Sequence, residues 1–294
     1  AASRISAASV VINIGLNALL IFGLLGFPAL GAAGAAVATV PARLAELALA
    51  CRDSGKPGRI RLRWHCFRTR EQRRSREFWK YVTPVLGNEI VWGVGFTMCS
   101  VIMGHLGSDA VAANSIAGIA KGLLICLCIG IGSGGGILVG NELGAGNLEH
   151  AKEYGRRVAR LSVLAGFFTG AVLLLLSPVI VRLTSLTPTA QEYLKWMLAI
   201  CSYYCIGKSV NSTVIGGIFC AGGDSRFGFL CDAVTLWAIT IPLGLLAGFV
   251  WKLPVIAVYF ILNLDEIIKL PAVYLHFKKY KWVRDLTQEG GTAK

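Results

Sequence analysis

Charged residues are scarce in this sequence. They make up 15% of its 294 residues, while 55% are hydrophobic and the mean hydropathy is +0.63. A soluble globular domain carries roughly 25% charged residues, so the composition excludes a typical cytosolic enzyme. The apolar residues also lie in runs of about 20 or more, the length that an α-helix needs to cross a ~30 Å hydrocarbon core. The sequence therefore predicts an all-α integral membrane protein.

Motifs for metal binding and catalysis are also absent. No pair among the nine cysteines has C-x-x-C spacing, and the four histidines are scattered, so we expect buried free thiols and no metal site. No H-E-x-x-H or paired-Asp motif indicates an intramembrane enzyme. The glycine-rich run at 130–140 lacks the Lys-Ser/Thr of a Walker motif and favours close helix packing instead. We expect neither an enzyme nor a bound cofactor.

Polar breaks separate eight apolar runs, and we predict that each spans the membrane. They cover about 5–25, 29–50, 78–103, 110–140, 158–183, 193–221, 227–250 and 254–277. The chain would then divide into two helices of a first lobe (1–51), a basic linker (52–77), a six-helix lobe (78–280) and a tail (281–294). A weak internal repeat agrees with this division, because a shift of 223 residues places Ser9 on Asp232, Arg43 on Glu266 and Glu46 on Lys269. Arg43 with Glu46, and Glu266 with Lys269, are pairs of opposite charge at i,i+3 spacing.

The 29 lysines and arginines are unevenly distributed along the chain. Eleven lie between Arg52 and Lys80, and five follow Phe277. If the predicted helices alternate in direction across the membrane, 22 of these basic residues lie on the side where both chain ends lie and three on the opposite side. The positive-inside rule therefore predicts a multi-pass plasma membrane protein with both ends cytoplasmic. Because these charges lie in loops beside the lipid bilayer, the net charge of +13 does not indicate nucleic-acid binding.

Six stretches in register resemble the multidrug-and-toxin-extrusion (MATE) family. They are NIGLNALLIFGLLGFPALGAAGAAVAT (13–39), PVLGNEIVWGVG (84–95), GHLGSDAVAANSIAG (104–118), GNELGAGNLEHAKEYGRR (140–157), AGGDSRFGFLCDAVTLW (221–237) and LDEIIKLPAVYLHFKKYKWVRDLT (264–287). The resemblance implies two six-helix lobes around a central cavity, in a monomeric transporter. It further implies the export of a cationic or amphiphilic small molecule in exchange for Na⁺ or H⁺.

By this resemblance the chain corresponds to helices five to twelve, and we expect that the first four helices are missing. The opening AASRISAAS, which lacks an initiator Met, agrees with a truncated start. One branch of the family carries an Asp where this chain has Lys208 and Ser209, so that branch's ion site does not carry over whole. Asn88 and Glu89 form an NE pair that is similar to another branch.

Several charged residues lie within predicted spans, where each costs at least ~2.5–3.5 kcal/mol unless it meets a partner or water. Glu89 lies near mid-membrane with no basic residue within a helical turn, so we expect it to couple transport to the ion, or else to form an interhelical hydrogen bond. Glu266 and Lys269 are one turn apart and predict an ion pair, either structural or lining the cavity. Asp265 points about 100° away from Glu266, so one of these two should face the bundle and the other a neighbouring helix or water.

Lys121 and Lys208 have no acidic residue within a turn, so their counter-ions must come from other helices. Glu89 and Asp232 are the candidates for that role. The predicted residues for ion coupling and for the substrate cavity are Asn88, Glu89, Lys121, Lys208, Asp232, Glu266 and Lys269. The three lysines also leave open a related class of exporter, a lipid-linked oligosaccharide flippase, whose cavity should be basic to hold pyrophosphate. The sequence does not choose between Na⁺ and H⁺.

Overall fold

The computed structural model describes residues 2–26, 28–56 and 72–283. These residues form helices and short connections without any β-strand. Six of the described helices are long and apolar enough to cross a membrane: Arg4–Phe22, Ala33–Ser54, Val82–His105, Ser108–Gly144, Leu148–Leu183 and Ser225–Val250. The prediction of an all-α polytopic membrane protein is therefore confirmed. Most of the predicted linker (52–77) and tail (281–294) lies outside the described residues.

The chain divides into two compact units, Ala1–Ser75 and Arg76–Lys294. The first unit contains α1 (Ala2–Phe22), a 3-10 turn (Leu24–Gly26) and α2 (Gly31–Ser54). Serine hydroxyls of α1 join the two helices: Ser9 Oγ donates to the Ala42 carbonyl at 3.0 Å and Ser6 Oγ to Glu46 at 3.1 Å. Arg43 and Glu46 form the expected i,i+3 ion pair at 2.7 Å.

Most of the second unit consists of helices of 5 to 37 residues. They are α3 (Gln72–His105), α4 (Ser108–Gly144), α5 (Leu148–Leu183), α6 (Pro188–Asn211), α7 (Ser225–Asp232), α8 (Ile241–Leu245), α9 (Val255–Leu262) and α10 (Asp265–Lys278). Three π-helical segments continue α6, α7 and α8: π1 (Ser212–Phe219), π2 (Ala233–Thr240) and π3 (Leu246–Val250). The predicted span 193–221 thus combines α6 and π1.

Glycines set the close approach of α4, α5 and α6 with its π1 extension. A Cβ on Gly217 would lie 2.4 Å from the Gly132 carbonyl oxygen, and one on Gly170 would lie 2.6 Å from the Ser202 carbonyl oxygen. Neither distance accommodates a side chain. Gly132 belongs to the 130–140 run, so the prediction that this run serves close helix packing is confirmed.

The last predicted span, 254–277, is interrupted at Asn263. Its first half is α9 and its second half is α10, which begins with Asp265 and Glu266. The Asn263 side chain donates to the Tyr259 carbonyl at 2.8 Å, an alternative to regular helical hydrogen bonding. The interruption therefore brings two carboxylates to the start of a half-helix, where the helix dipole favours negative charge.

Candidate functional site

A cluster of ion pairs centres on Glu266 of α10. This side chain is fully buried, and its Oε1 lies 3.1 Å from Lys208 Nζ and 3.2 Å from Lys269 Nζ. Its other oxygen, Oε2, accepts a hydrogen bond from Asn211 Nδ2 at 2.8 Å. Both oxygens therefore have charged or polar donors, which is the condition for keeping a buried carboxylate ionised.

Lys269 extends the cluster from α10 to α7. Its ammonium lies 2.7 Å from Asp232 Oδ1 and 3.6 Å from Asp265 Oδ2. Lys269 is only 3% exposed, and Asp232 and Asp265 are also buried. The predicted pair between Glu266 and Lys269 is present, but each partner has further charged contacts. Asp265 and Glu266 are both buried and both contact Lys269, so neither faces water, which was one of the two surroundings expected for the second of them.

The local backbone explains how α6 and α7 present their polar groups. Asn211 is the last residue of α6 before π1, and Asp232 is the last residue of α7 before π2. A change from α- to π-helical winding rotates the residues that follow, and such segments are frequent at functional sites. Glu266 and Lys269 lie on one face of α10 because they are three residues apart.

Lys208 lies between α10 and α3. Its ammonium is 5.2 Å from the centre of the Trp92 ring, in addition to its contact with Glu266. A cation over an indole face gains roughly 0.5–2 kcal/mol, depending on desolvation. Lys208 therefore connects an exposed aromatic residue of α3 to the buried carboxylate.

Lys121 of α4 has polar but uncharged neighbours. It donates to Asn263 Oδ1 at 3.2 Å, and its ammonium lies 4.2 Å from the centre of the Tyr204 ring. An amide oxygen and an aromatic face thus stabilise the ammonium at the interruption between α9 and α10.

The prediction that Glu89 and Asp232 are the counter-ions of Lys121 and Lys208 is therefore wrong. Lys208 pairs with Glu266, Asp232 pairs with Lys269, and Lys121 bonds to Asn263. The cost of a buried charge requires a partner but does not identify the helix that supplies it. That choice depends on the packing of α6, α7 and α10.

Asn88 and Glu89 lie on α3, outside the network of contacts around Glu266. Glu89 is exposed, and it forms no ion pair with any residue in the described ranges. The Asn88 Oδ1 atom is buried and has no hydrogen-bond partner within that part of the chain. The structure thus leaves one carboxylate and one amide oxygen of α3 without a partner among the described residues.

Sequence reasoning overlooked the polar residues that complete the cluster. Asn211 and Asn263 each form a hydrogen bond with a charged side chain, and the rings of Trp92 and Tyr204 each lie against a lysine ammonium group. A search for amides within the apolar runs would have found both asparagines, since unpaired amides are also costly in lipid. No cluster of three or more potential metal ligands occurs in the described ranges.

Comparisons with known proteins agree on one family. The sequence model of the MatE family matches residues 84–277. The uncharacterized transporter YisQ of Bacillus subtilis is 21% identical over 274 residues, which cover 93% of this chain and 60% of that protein. The probable multidrug resistance protein NorM of Thermotoga maritima is 24% identical over 271 residues, covering 92% of this chain and 58% of that protein. The chain thus spans about 60% of the length of these relatives.

Solved structures show the same fold. The transporter VcmN of Vibrio cholerae in its bent form superposes with a TM-score of 0.75 at 18% identity, covering 95% of this chain and 61% of that one. A MOP superfamily transporter from Pyrococcus furiosus superposes with a TM-score of 0.80 at 14% identity, covering 95% and 62%. Since the family model matches well over half of the sequence and the helical fold agrees, this polytopic membrane protein belongs to the MatE family of transporters.

Proposed function

We propose that the intact protein is a cation-coupled antiporter of the plasma membrane. It would export cationic or amphiphilic compounds by alternating access in exchange for Na⁺ or H⁺, and act as a monomer. The observation that carries this proposal is the buried cluster of Lys208, Asp232, Glu266 and Lys269. Relatives such as NorM of Thermotoga maritima, described as a probable multidrug resistance protein, support the assignment of the substrate class.

The cluster offers a physical route for ion coupling. Lys269 contacts three carboxylates, of which Asp265 is the most distant at 3.6 Å and Asp232 the nearest at 2.7 Å. A proton or Na⁺ bound at either Asp would cancel a negative charge and weaken its attraction to Lys269. Because these groups lie on α7 and α10, such a change alters the free energy of packing between the two helices. Ion binding would thereby shift the balance between two arrangements of the bundle.

The exposed face of α3 offers a route for substrate binding. One exposed face of α3 carries Glu89, Trp92 and Phe96, which are three and four residues apart. The Trp92 and Phe96 rings stack with their centroids 5.7 Å apart. A carboxylate beside stacked aromatic rings suits a cationic, aromatic compound. Such a cation would compete with Lys208 for the Trp92 ring, which connects substrate binding to the charge cluster.

Dye transport by reconstituted protein tests the proposal. In proteoliposomes, we expect an imposed Na⁺ or pH gradient to drive the movement of a cationic dye such as ethidium. Asp232→Asn should remove the gradient dependence, whereas Glu153→Gln, which removes an exposed carboxylate of α5, should retain it. Gradient-driven transport that is unchanged in Asp232→Asn would refute a coupling role for the cluster.

A lipid-linked oligosaccharide flippase remains the second candidate function. It is favoured by Lys121, which contacts no carboxylate among the described residues, and by Lys208, which shares the Glu266 carboxylate with Lys269; these two lysines could hold a pyrophosphate. The Pyrococcus furiosus relative in fold is described as having a binding pocket of reverse polarity that suggests a different function. A flippase should translocate a fluorescent polyprenyl-pyrophosphate sugar without an ion gradient and lose this activity in Lys208→Gln. Dye transport without such translocation would decide for the antiporter.

A further inference from the structure

A concave site lies among residues of α5, α6, π1 and α10. It is a groove of about 570 Å³ between α5, α6 with π1, and α10. Its floor is apolar and includes Val163, Ile206, Val210 and Leu270, with Tyr274 at one edge. A volume of this size falls in the range of small-molecule sites, which is about 300–1,000 Å³.

Three cations line one end of this groove. Arg156 and Arg160 lie one turn apart near the start of α5, and Lys278 ends α10. Arg156 is held by a hydrogen bond from its Nε to the Tyr280 hydroxyl at 2.7 Å. None of the three cations pairs with a carboxylate among the described residues, although the neighbouring Arg157 pairs with Glu153 and Lys152 with Glu149. The groove therefore combines an apolar body with an end that carries three cations, none of them in an ion pair with a described carboxylate.

The apolar floor and the cationic end of the groove match the hydrocarbon and headgroup layers of a membrane. Val163 and Tyr274 are exposed on the apolar part of the helices, while Arg156 and Lys278 lie towards the helix ends, where the chain leaves the apolar layer. Tyrosines such as Tyr280 are common at that depth. In the orientation predicted from the charge distribution, this end faces the cytoplasmic leaflet, which is rich in anionic lipids.

We infer that the groove binds one anionic phospholipid of the cytoplasmic leaflet. Its phosphate lies among Arg156, Arg160 and Lys278, and an acyl chain follows the floor formed by Val163 and Val210. Charge complementarity selects this occupant, because basic pockets between membrane helices at the cytoplasmic side suit anionic headgroups. The inference requires only that the protein lies in a membrane, and it does not depend on ion-coupled antiport.

Native mass spectrometry of the intact protein in detergent tests the site. We expect one tightly held phosphatidylglycerol and no comparable adduct of phosphatidylcholine with the same chains. The double variant Arg160→Gln/Lys278→Gln should bind phosphatidylglycerol about thirtyfold more weakly, since each cation contributes roughly fivefold. The control Arg157→Gln/Lys279→Gln removes the same charge from positions three residues before Arg160 and one residue after Lys278, neither of which lines the groove, and should bind normally. If both double variants bound phosphatidylglycerol equally weakly, the loss would be due to net charge alone, and the inference would be overturned.

Two further measurements distinguish binding of the lipid headgroup from binding of the acyl chain. Glycerol phosphate, which has the anion without acyl chains, should bind far more weakly than the lipid, and equal binding would indicate an anion site only. Val163→Trp fills the floor and should weaken the lipid adduct with the charges intact. If neither lipid is retained by the unmodified protein, another protein segment covers the groove and the inference is wrong. These experiments measure lipid binding and not dye transport, so a failure of the dye-transport test would not affect their result.

Discussion

At the residue scale, Glu266 is the group on which the candidate site depends. In a fully buried position, it accepts hydrogen bonds from the Lys208 ammonium and the Asn211 amide and forms an ion pair with Lys269. Removal of one partner from a buried charge network leaves the others without compensation, which costs more than the intact pair contributes. Exposed pairs such as Arg157 with Glu153 carry no such penalty, since water solvates both groups.

We therefore expect Glu266→Gln to lower the free energy of unfolding by about 3–5 kcal/mol. The buried Lys269 and the partly buried Lys208 would lose their shared carboxylate, although Asp232 still compensates Lys269. Thermal denaturation in detergent measures the effect, with Glu153→Gln as a control that should change stability by less than about 1 kcal/mol. The double variant Lys208→Met/Glu266→Gln should be less destabilised than the sum of its single changes, because the unpaired ammonium is removed as well. Strict additivity would show that Lys208 and Glu266 do not interact.

Glu89 carries a separate prediction about coupling. As an exposed carboxylate of α3 without a described ion pair, it is available to a cation, a proton or a cationic substrate, and these can compete for it. Glu89→Gln in the intact protein should keep normal abundance in the membrane but lose ion-driven efflux of a cationic dye. Abundance on a blot and dye efflux in cells measure the two properties. A normal rate with normal ion dependence would place the coupling residue elsewhere.

At the element scale, packing in the second unit depends on glycines and on π-helical winding. Gly217 of π1 contacts the backbone of α4 at Gly132, so a side chain at position 217 has no space. The adjacent Gly216 faces open space, and a Cβ there would have no neighbour within 4 Å. The helices can approach this closely only where both lack a side chain, as in small-residue contacts of membrane helices.

This difference predicts opposite outcomes for two neighbouring substitutions. Gly217→Ala should lower the free energy of unfolding by about 1–3 kcal/mol, because its methyl group would overlap the Gly132 carbonyl. Gly216→Ala should be neutral or raise it by up to about 1 kcal/mol, since it restricts the unfolded chain without a clash. Thermal denaturation of both variants in one detergent provides the comparison. Equal stability of the two would mean that α4 and π1 are not in contact at Gly132.

At the scale of the whole molecule, the uneven distribution of basic residues predicts the orientation in the membrane. If the predicted helices alternate in direction, 22 basic residues lie on one side of the membrane and three on the other. Because basic residues are retained on the cytoplasmic side during insertion, we expect the side with 22 to be cytoplasmic. The proposed lipid site is assigned to the cytoplasmic leaflet by the same reasoning.

Thiol labelling of the intact protein tests this orientation. In a cysteine-free background, Ser108→Cys at the start of α4 should react with a membrane-impermeant reagent in whole cells. Asn147→Cys between α4 and α5 should react only after the cells are permeabilised. Both positions are exposed, so reactivity reports the side of the membrane rather than burial. The reverse pattern would overturn the orientation and move the lipid groove to the outer leaflet.

The sequence by itself determined the class of protein, the approximate spans and the charged residues that lie within those spans. Hydrophobic runs of sufficient length specify membrane helices because unpaired backbone groups are too costly in lipid. Spacing along one helix likewise predicted the pairs of Glu266 with Lys269 and of Arg43 with Glu46, since residues three apart share a face.

Only the tertiary structure decided which helices supply the partners. Lys208 meets Glu266, Lys269 meets Asp232, and Lys121 meets the amide of Asn263, although these partners lie far apart in sequence. The cost of burying a charge is the same whichever helix compensates it, so it cannot rank the alternatives. The choice follows from glycine contacts, π-helical segments and the interruption at Asn263, which together set the rotation and depth of each helix.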